Sequence, residues 1–432
     1  MPANIEQSIQ ASPEPELTSL RLQRLFETDS TRKLINSLSA PLLDDLLCII
    51  GTSTFLFHSI CRHPELIALL GEKFSRADIK LDDVNDFDAL RLLKYRALFR
   101  LTWMDISQQY DYEEVLKGLS ILAEVIIEQS FQLALEADEY QKVQECLAVF
   151  ALGKLGASEL NYSSDVDLIF VAANSEDTDM NIHDVQSLLI KSLRKVCQCI
   201  EEKTEEGFLY RVDLKLRPWG SSGPLCMALD ATEHYYEASS EPWERFAWLR
   251  SRVIFGSEKI GSELIQRLRP FIFRRALGTD DLVGFLGIKR DMEKARKRRG
   301  HWNIKVGEGG IRDIEFFAQM LQIVNAAEHE ELQKTNTIDV LSGLASSKVL
   351  TIEEKDELVN SYLFLRRLEN RMQMVDEKQT HDLPDSRQER LKIARSLRIS
   401  GESNDDILDN FENELVLNQS IARKYFDRLL PQ

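Results

Sequence analysis

The sequence predicts a mainly α fold with a small α/β core, a helical N-terminal block before it and a C-terminal helical bundle after it. Glycine (19) and proline (11) are scarce among 432 residues, which favours long helices over turn-rich sheets. Short apolar runs rich in β-forming residues cluster between residues 147 and 217. Helical periodicity lies on both sides of that cluster, so one small sheet between two helical blocks is expected.

The length allows more than one structural unit, since domains typically have ~150 residues. The first residues are polar and include Pro13 and Pro15, which indicates a loose N-terminal segment. The predicted units are a flexible tail over 1–16, a helical N-terminal region over 17–145, the α/β core over 146–230, and a helical region over 231–432 that ends in a bundle.

Composition and charge narrow the class of protein. Hydrophobic residues make up 43% and charged residues 29%, which is an ordinary globular balance. The formal net charge of −17 argues against bulk nucleic-acid binding, which depends on clustered cations. The six cysteines lack metal-ligand spacing, and no run reaches the ~18 apolar residues that a membrane span needs. We therefore expect a cytoplasmic protein that acts on a protein or a small molecule.

Three aspartates on two predicted strands form the candidate catalytic centre. Asp165 and Asp167 open the strand that continues through Leu168–Ala172, and alternation puts both side chains on one face. Asp213 and Arg217 lie on the polar face of a second predicted strand, Phe208–Arg217. If these strands pair, three carboxylates converge.

A bare cluster of this kind would attract a cation. Like charges ~4 Å apart repel by about 4 kcal/mol at an effective dielectric near 20, so the cluster would either raise its pKa values or bind a metal. Oxygen ligands of this type suit Mg²⁺, which also coordinates phosphates. The competing interpretation is structural: Asp165 caps a turn, Asp167 is a solvated strand end and the nearby glycines only turn the chain.

A glycine turn and several cations are candidates for holding a phosphate group. The backbone of the turn could approach phosphates closely, and guanidinium binds them in a bidentate manner. For each cation a surface ion pair or a solvated helix end remains the alternative, and the run from Lys289 to Arg299 is favoured as a solvated helix face. The predicted nucleotide- and phosphate-binding residues are Gly153, Lys154, Gly156, Ser164, Arg217, Lys305 and Arg312.

These motifs also carry a family resemblance. The segments Gly153–Gly156 and Glu159–Phe170 resemble the nucleotidyltransferase signature of glutamine synthetase adenylyltransferases. Further similar segments follow in the family's order, so that the resemblance extends from about residue 147 to residue 384. They are Arg211–Pro218, Gly220–Leu225, Trp243–Phe246, Phe271–Arg275, Gly309–Phe316 and Tyr362–Asn370.

The resemblance implies an activity. Members of this family carry two such domains. The residues of this signature, Leu160–Asp165, are similar to those of the N-terminal, adenylyl-removing domain. That domain removes AMP from a tyrosine of glutamine synthetase by phosphorolysis and releases ADP. The resemblance further implies Mg²⁺ at Asp165, Asp167 and Asp213, and the uridylylated PII signalling protein as a partner. Ala157 replaces a frequent glycine and Asp313 stands where glutamate is expected.

Three alternatives stay open at this point. The same fold could run in the opposite direction, as an ATP-dependent adenylyltransferase. The chain could also be a non-catalytic regulatory module whose aspartates are remnants. An RNA-tailing nucleotidyltransferase shares the same metal chemistry, but the net charge of −17 speaks against it.

Overall fold

The computed structural model describes residues 3–177, 182–273, 287–288, 290–291, 294 and 303–429. In these ranges the protein is mainly helical and carries one small mixed sheet, which confirms the predicted fold class.

The N-terminal block consists of helices that pack in front of the sheet. Its helices are α1 (Ala3–Ala11), α2 (Pro15–Leu25), α3 (Asp29–Asn36), α4 (Ala40–Thr52), α5 (Thr54–Arg62), α6 (Phe87–Ser107), α7 (Tyr112–Ala134) and α8 (Ala137–Cys146). Short 3₁₀ turns at Pro64–Leu69 and Arg76–Asp78 connect α5 to α6.

The beginning of the chain differs from the prediction of a flexible tail over 1–16. Residues Ala3–Ala11 form a helix whose Ile5 and Ile9 are buried in the main core. The Ser12 hydroxyl lies 2.9 Å from the Thr18 hydroxyl, which fixes the turn into α2. Apolar residues four apart place both isoleucines on one helical face, and this burial outweighs the local effect of Pro13 and Pro15.

No single helix among the described residues is long and apolar enough to cross a membrane. In the part of the chain that the structure describes, one pair, α4 with α5, has the length and composition when taken together, and the two helices bend by 114° at the break between them.

The five strands lie in the middle of the chain, with helices between them. The strands are β1 (Leu147–Ala151), β2 (Asp165–Ala172), β3 (Arg211–Asp213), β4 (Cys226–Ala228) and β5 (Arg252–Gly256). The intervening and following helices are α9 (Gly153–Gly156), α10 (Ile182–Glu201), α11 (Leu229–Ala238), α12 (Pro242–Leu249) and α13 (Glu258–Ile272).

The sheet is ordered β3-β2-β1-β5, and β4 also pairs with β2. Strand β1 is antiparallel to both β2 and β5, whereas β3 and β4 run parallel to β2 along the same edge. All five residues of β1 are buried, because the strand lies between β2 and β5 and contacts α8, α9 and α13.

Two strand predictions need correction. The predicted strand over Phe208–Arg217 is only Arg211–Asp213, because Asp213 Oδ1 accepts the Lys215 backbone N–H at 2.8 Å and folds the chain into a turn. Strands β4 and β5 lie beyond the predicted cluster that ended at residue 217, and β5 also lies outside the predicted core over 146–230.

The described C-terminal part is a helical bundle, as predicted. Its helices are α14 (Ile311–Asn325), α15 (Thr337–Ser346), α16 (Ile352–Gln373), α17 (Arg387–Ser396) and α18 (Asn404–Asp427). Thr351 and Glu354 form a reciprocal capping box at the start of α16, with contacts of 3.2 and 2.9 Å.

Two hydrophobic clusters hold these elements together. The larger one extends from Ile5 in α1 through the sheet to Ile272 in α13, and it also includes Ile323 and Met374. The second lies within the C-terminal bundle, from Ile304 to Tyr425. The predicted boundary between residues 145 and 146 therefore does not separate two cores.

Replacing Phe150 with alanine tests the central strand of the sheet. The ring is fully buried and makes an edge contact with Trp248 at 5.4 Å between centroids. Phe150→Ala should reduce the free energy of unfolding by about 3–5 kcal/mol, measured by urea denaturation. Val416→Ala, at a side chain that is 64% exposed, is the control and should change it by less than about 0.5 kcal/mol. Equal effects of the two substitutions would contradict this packing.

Candidate functional site

The three predicted aspartates come together at one end of β2 and β3. The parallel register pairs Asp165 with Arg211 and Asp167 with Asp213, so Asp213 lies beside Asp167 as expected from the strand pattern. Burial raises the pKa of Asp167 to about 7, and the negative charges of Asp213 and Asp165 add to this effect. The site thus concentrates negative charge around a largely buried carboxyl group.

Two cations of the chain itself already contact this cluster. Arg211 Nε lies 2.5 Å from Asp165 Oδ1, and Lys215 Nζ lies 2.9 Å from Asp213 Oδ2. In the described ranges no three His, Cys, Asp or Glu side chains are already arranged to hold a metal ion. The carboxylate oxygens nevertheless suit a hard divalent cation in chemistry and charge. A bound cation would share or compete for the oxygens of Asp165 and Asp213 with Arg211 and Lys215.

The glycine turn lies directly against the aspartates. Gly153 has a φ of +57°, and a Cβ there would lie 2.6 Å from Asp167 Oδ2, so only glycine fits without displacing that carboxylate. A Cβ on Gly156 would instead lie 2.0 Å from the Arg250 carbonyl oxygen, so this glycine permits packing against the start of β5. Ala157 has a φ of −79°, where its methyl group costs nothing.

Lys154 and Lys305 occupy different positions relative to the cluster. The Lys154 ammonium lies 2.8 and 2.9 Å from the two carboxylate oxygens of Glu369, and therefore already has a partner. Burial opposes ionisation of Glu369, but Lys154, His381 and Arg366 outweigh it and hold its pKa well below the usual range. The charge of Lys305 acts on both Asp167 and Glu369, and within the described ranges its ammonium makes no hydrogen bond or ion pair.

The prediction that Arg217 shares a strand face with Asp213 is wrong. Arg217 lies beyond the end of β3 and donates to the carbonyl oxygens of Leu214 and Pro224 at 2.8 and 3.1 Å, which satisfies its guanidinium within its own loop. The cause is the turn after Asp213, which ends the alternation of side chains.

The remaining predicted phosphate ligands are placed as follows. Ser164 is buried, and its Oγ accepts the Asn161 backbone N–H at 3.2 Å. Arg312 is exposed in the first turn of α14. Asp313 is buried and accepts the Gly309 N–H at 3.0 Å, so it fixes the start of that helix. The run from Lys289 to Arg299 lies mostly outside the described residues.

Sequence reasoning missed the side chains of α16 that hold the loop 159–164 in front of β2. Asn370 Oδ1 accepts the Tyr162 N–H at 3.2 Å, and Gln373 Oε1 accepts the Ser163 N–H at 3.0 Å. The guanidinium of Arg366 donates to Asn161 Oδ1 at 2.6 Å and to the Glu159 carbonyl. Because β2 begins one residue after this loop, these contacts position Asp165.

A buried network of charges continues from the same loop. Glu159 contacts Arg250, accepts the Tyr362 hydroxyl at 2.8 Å, and accepts the Thr337 N–H at 2.7 Å. Burial opposes ionisation of Glu315 too, but its pair with Arg250 at 2.9 Å helps to lower the pKa to about 2. The sequence carries only a partial signal for these contacts, because several polar residues within Tyr362–Asn370 share the helix with an apolar stripe.

The raised pKa of Asp167 predicts a pH dependence of stability in the metal-free protein. Its folded-state pKa of about 7 exceeds the unfolded value, so the stabilisation from its proton is complete below the unfolded pKa and is lost as the pH rises through about 7. In EDTA, raising the pH from 6 to 8 should reduce the free energy of unfolding of wild type by roughly 1 kcal/mol more than that of Asp167→Asn. Urea denaturation at both pH values measures this.

Asp409→Asn is the matched control, because that carboxylate is exposed on α18 and its nearest cation, Arg387, is 3.8 Å away. It should keep the wild-type pH dependence. A variant Asp167→Asn with an undiminished pH dependence would refute the raised pKa.

Comparison with known proteins finds a matching family model for each of two parts of the chain. Residues 43–266, which include the whole sheet, match the family model described as glutamate-ammonia ligase adenylyltransferase. Residues 285–430 match the model described as GlnD PII-uridylyltransferase.

Similar curated proteins are named bifunctional glutamine synthetase adenylyltransferase/adenylyl-removing enzymes. The one from Thioalkalivibrio sulfidiphilus is 37% identical over 83% of this chain and 38% of its own length. Those from Hahella chejuensis and Nitrosococcus oceani are 33% and 36% identical, over 83% and 71% of this chain and 40% and 33% of their own lengths. The chain thus spans well under half the length of these relatives. By its sequence, it belongs to the glutamate-ammonia ligase adenylyltransferase family.

Proposed function

We propose that this chain removes AMP from an adenylylated tyrosine of glutamine synthetase by phosphorolysis, and so returns that enzyme to its unmodified form. The observation that carries the proposal is the strand register that puts Asp213 beside Asp167, in a family whose members act in glutamine synthetase regulation. The N-terminal form of the signature in Leu160–Asp165 supports removal rather than attachment of AMP.

The reaction exchanges one phosphorus–oxygen bond for another. An oxygen of inorganic phosphate attacks the phosphorus of the adenylyl group, and the bond from that phosphorus to the tyrosine oxygen breaks. The phenolate leaves and takes up a proton, which regenerates tyrosine, while the nucleotide product is ADP. The main demands on the protein are to bring two anions together and to orient them in line.

Asp165, Asp167 and Asp213 would hold Mg²⁺ in this proposal. The bound ion would neutralise phosphate charge and stabilise the leaving oxygen. Arg211 and Lys215 contact two of these carboxylates at 2.5 and 2.9 Å, so both cations lie at the site and could bind phosphate oxygens there. Lys305 supplies a further positive charge, which acts on both Asp167 and Glu369.

Partners follow from the same family relationship. Adenylylated glutamine synthetase would be the protein substrate, and uridylylated PII would be the regulator. The match of residues 285–430 to a PII-uridylyltransferase model supports a link to the PII system. Nucleic acid and membranes have no role in this proposal.

The opposite direction, transfer of AMP from ATP to glutamine synthetase, is the second candidate, because the names of the relatives include both activities. Incubation with adenylylated glutamine synthetase, Mg²⁺ and phosphate, with and without uridylylated PII, separates the two. ADP release that requires both phosphate and Mg²⁺ supports phosphorolysis. AMP incorporation from ATP without ADP release would reverse the direction, and inactivity in both assays would favour a regulatory module.

Asp165→Asn is expected to lower the rate of ADP release at least about 100-fold, because one carboxylate of the proposed metal site is lost. Single-turnover assays at saturating Mg²⁺ measure the rate. Asp409→Asn, on the exposed face of α18, should retain wild-type activity. Undiminished turnover in a folded Asp165→Asn protein would rule out the three-carboxylate site.

Lys305→Met is expected to raise the KM for phosphate about tenfold, with a smaller effect on kcat, because a charged hydrogen bond contributes about 1.5–3 kcal/mol. Lys424→Met is the control, since that ammonium is exposed on α18 and pairs with Glu357 at 2.9 Å. Initial rates over a range of phosphate concentrations provide the measurement. An unchanged phosphate KM in Lys305→Met would remove Lys305 from the phosphate site.

A further inference from the structure

A loop beside the aspartate cluster leaves the sheet and returns to the same edge. Strand β3 ends at Asp213, opposite Asp167, and β4 begins at Cys226, opposite Phe170. The ends of the loop 214–225 are therefore fixed three positions apart along β2. The loop is therefore anchored at both ends on the edge of the sheet that carries Asp213.

The interior of this loop is tied together by Arg217. Its guanidinium donates to four carbonyl oxygens of the loop, at 2.8 to 3.3 Å: those of Leu214, Ser221, Gly223 and Pro224. A Cβ on Gly223 would lie 1.9 Å from the Pro218 carbonyl oxygen, so the two sides of the loop are in direct contact. The loop is thus closed and internally bonded.

Trp219 stands at the tip of this loop with an exposed indole. Its φ is +57°, a left-handed conformation that is uncommon for a bulky residue and that concentrates at functional sites. The residue is 53% exposed, although its ring contacts the Tyr235 ring edge-on at 4.6 Å between centroids. The Tyr235 hydroxyl donates to Glu244 at 3.0 Å, which fixes the supporting ring from below.

We propose that Trp219 is the stacking platform for the adenine base of the nucleotide. This rests on the proposed function for the identity of the ligand, but not on the direction of the reaction. A nucleotide whose phosphorus lies at the aspartates carries its base one ribose away. The loop that carries Trp219 begins at the aspartates, since it follows Asp213 directly and Lys215, four residues before Trp219, contacts Asp213 at 2.9 Å.

The surroundings of Trp219 favour a base over a protein partner. A tryptophan that anchors a protein interface usually lies within a ring of other contacts that exclude water. Here the following residues, Ser221 and Ser222, are small, polar and exposed. A rigid indole supported from one side and open on the other suits a planar ring, and stacking of this kind typically changes affinity about tenfold.

Titration of the chain with ADP and Mg²⁺ by calorimetry tests the proposal. Trp219→Ala should weaken ADP binding about tenfold or more, and Trp219→Phe should retain most of the affinity because it keeps an aromatic face. Binding of pyrophosphate, which has no base, should be the same in all three proteins. Trp243→Ala is the control, since that indole is 41% exposed on α12 and should leave ADP binding unchanged.

The outcomes separate this inference from the proposed function. Equal ADP affinity of wild type and Trp219→Ala would overturn the stacking role. So would a loss confined to the KM for adenylylated glutamine synthetase, which would assign the indole to the protein interface. If Trp219→Ala weakens ADP binding while wild type releases no ADP from the protein substrate, the stacking role stands and the phosphorolytic function fails.

Discussion

The contact between α16 and the loop 159–164 is the interaction on which the candidate site depends. Several backbone N–H groups and carbonyls of this loop form no hydrogen bond within a strand or helix. The buried side chains of Arg366, Asn370 and Gln373 form hydrogen bonds with them instead. Strand β2 starts at the end of this loop. The direction of the Asp165 and Asp167 side chains is therefore set by a helix of the C-terminal bundle as well as by the sheet.

That dependence links distant parts of the chain. Glu159 and Tyr362 are 203 residues apart in sequence, and Lys154 and Glu369 are 215 apart, yet each pair is in direct contact. Buried charges without their partners are costly, so the sheet and α16 stabilise each other only when both are folded. The sheet shares one hydrophobic cluster with the N-terminal helices and one polar network with the bundle. These contacts tie the predicted domains into a single structure around the site.

The sequence predicted those features that depend on local periodicity. Alternation identified Asp165 and Asp167 on one face, and the short apolar runs located β1 and β2. The prediction for Arg217 was wrong because the alternating pattern of the sequence continues past Asp213, whereas the chain turns there. The contacts of α16 with the loop 159–164 were not predicted, because polar residues on a helix ordinarily face solvent. Only the tertiary structure shows that this loop lies over them. Likewise, the sequence did not distinguish the buried helix α1 from a flexible polar tail, because only the tertiary structure shows what covers Ile5 and Ile9.

The pairing of Arg211 with Asp165 and of Lys215 with Asp213 gives the protein its own counter-ions. Two tethered positive charges thus lower the repulsion among the three carboxylates within the fold itself. In the proposed function, a divalent cation would compete for the carboxylates with two side chains held at high effective concentration. Its binding would be an exchange of cations, after which both side chains would remain close enough to bind an anionic ligand.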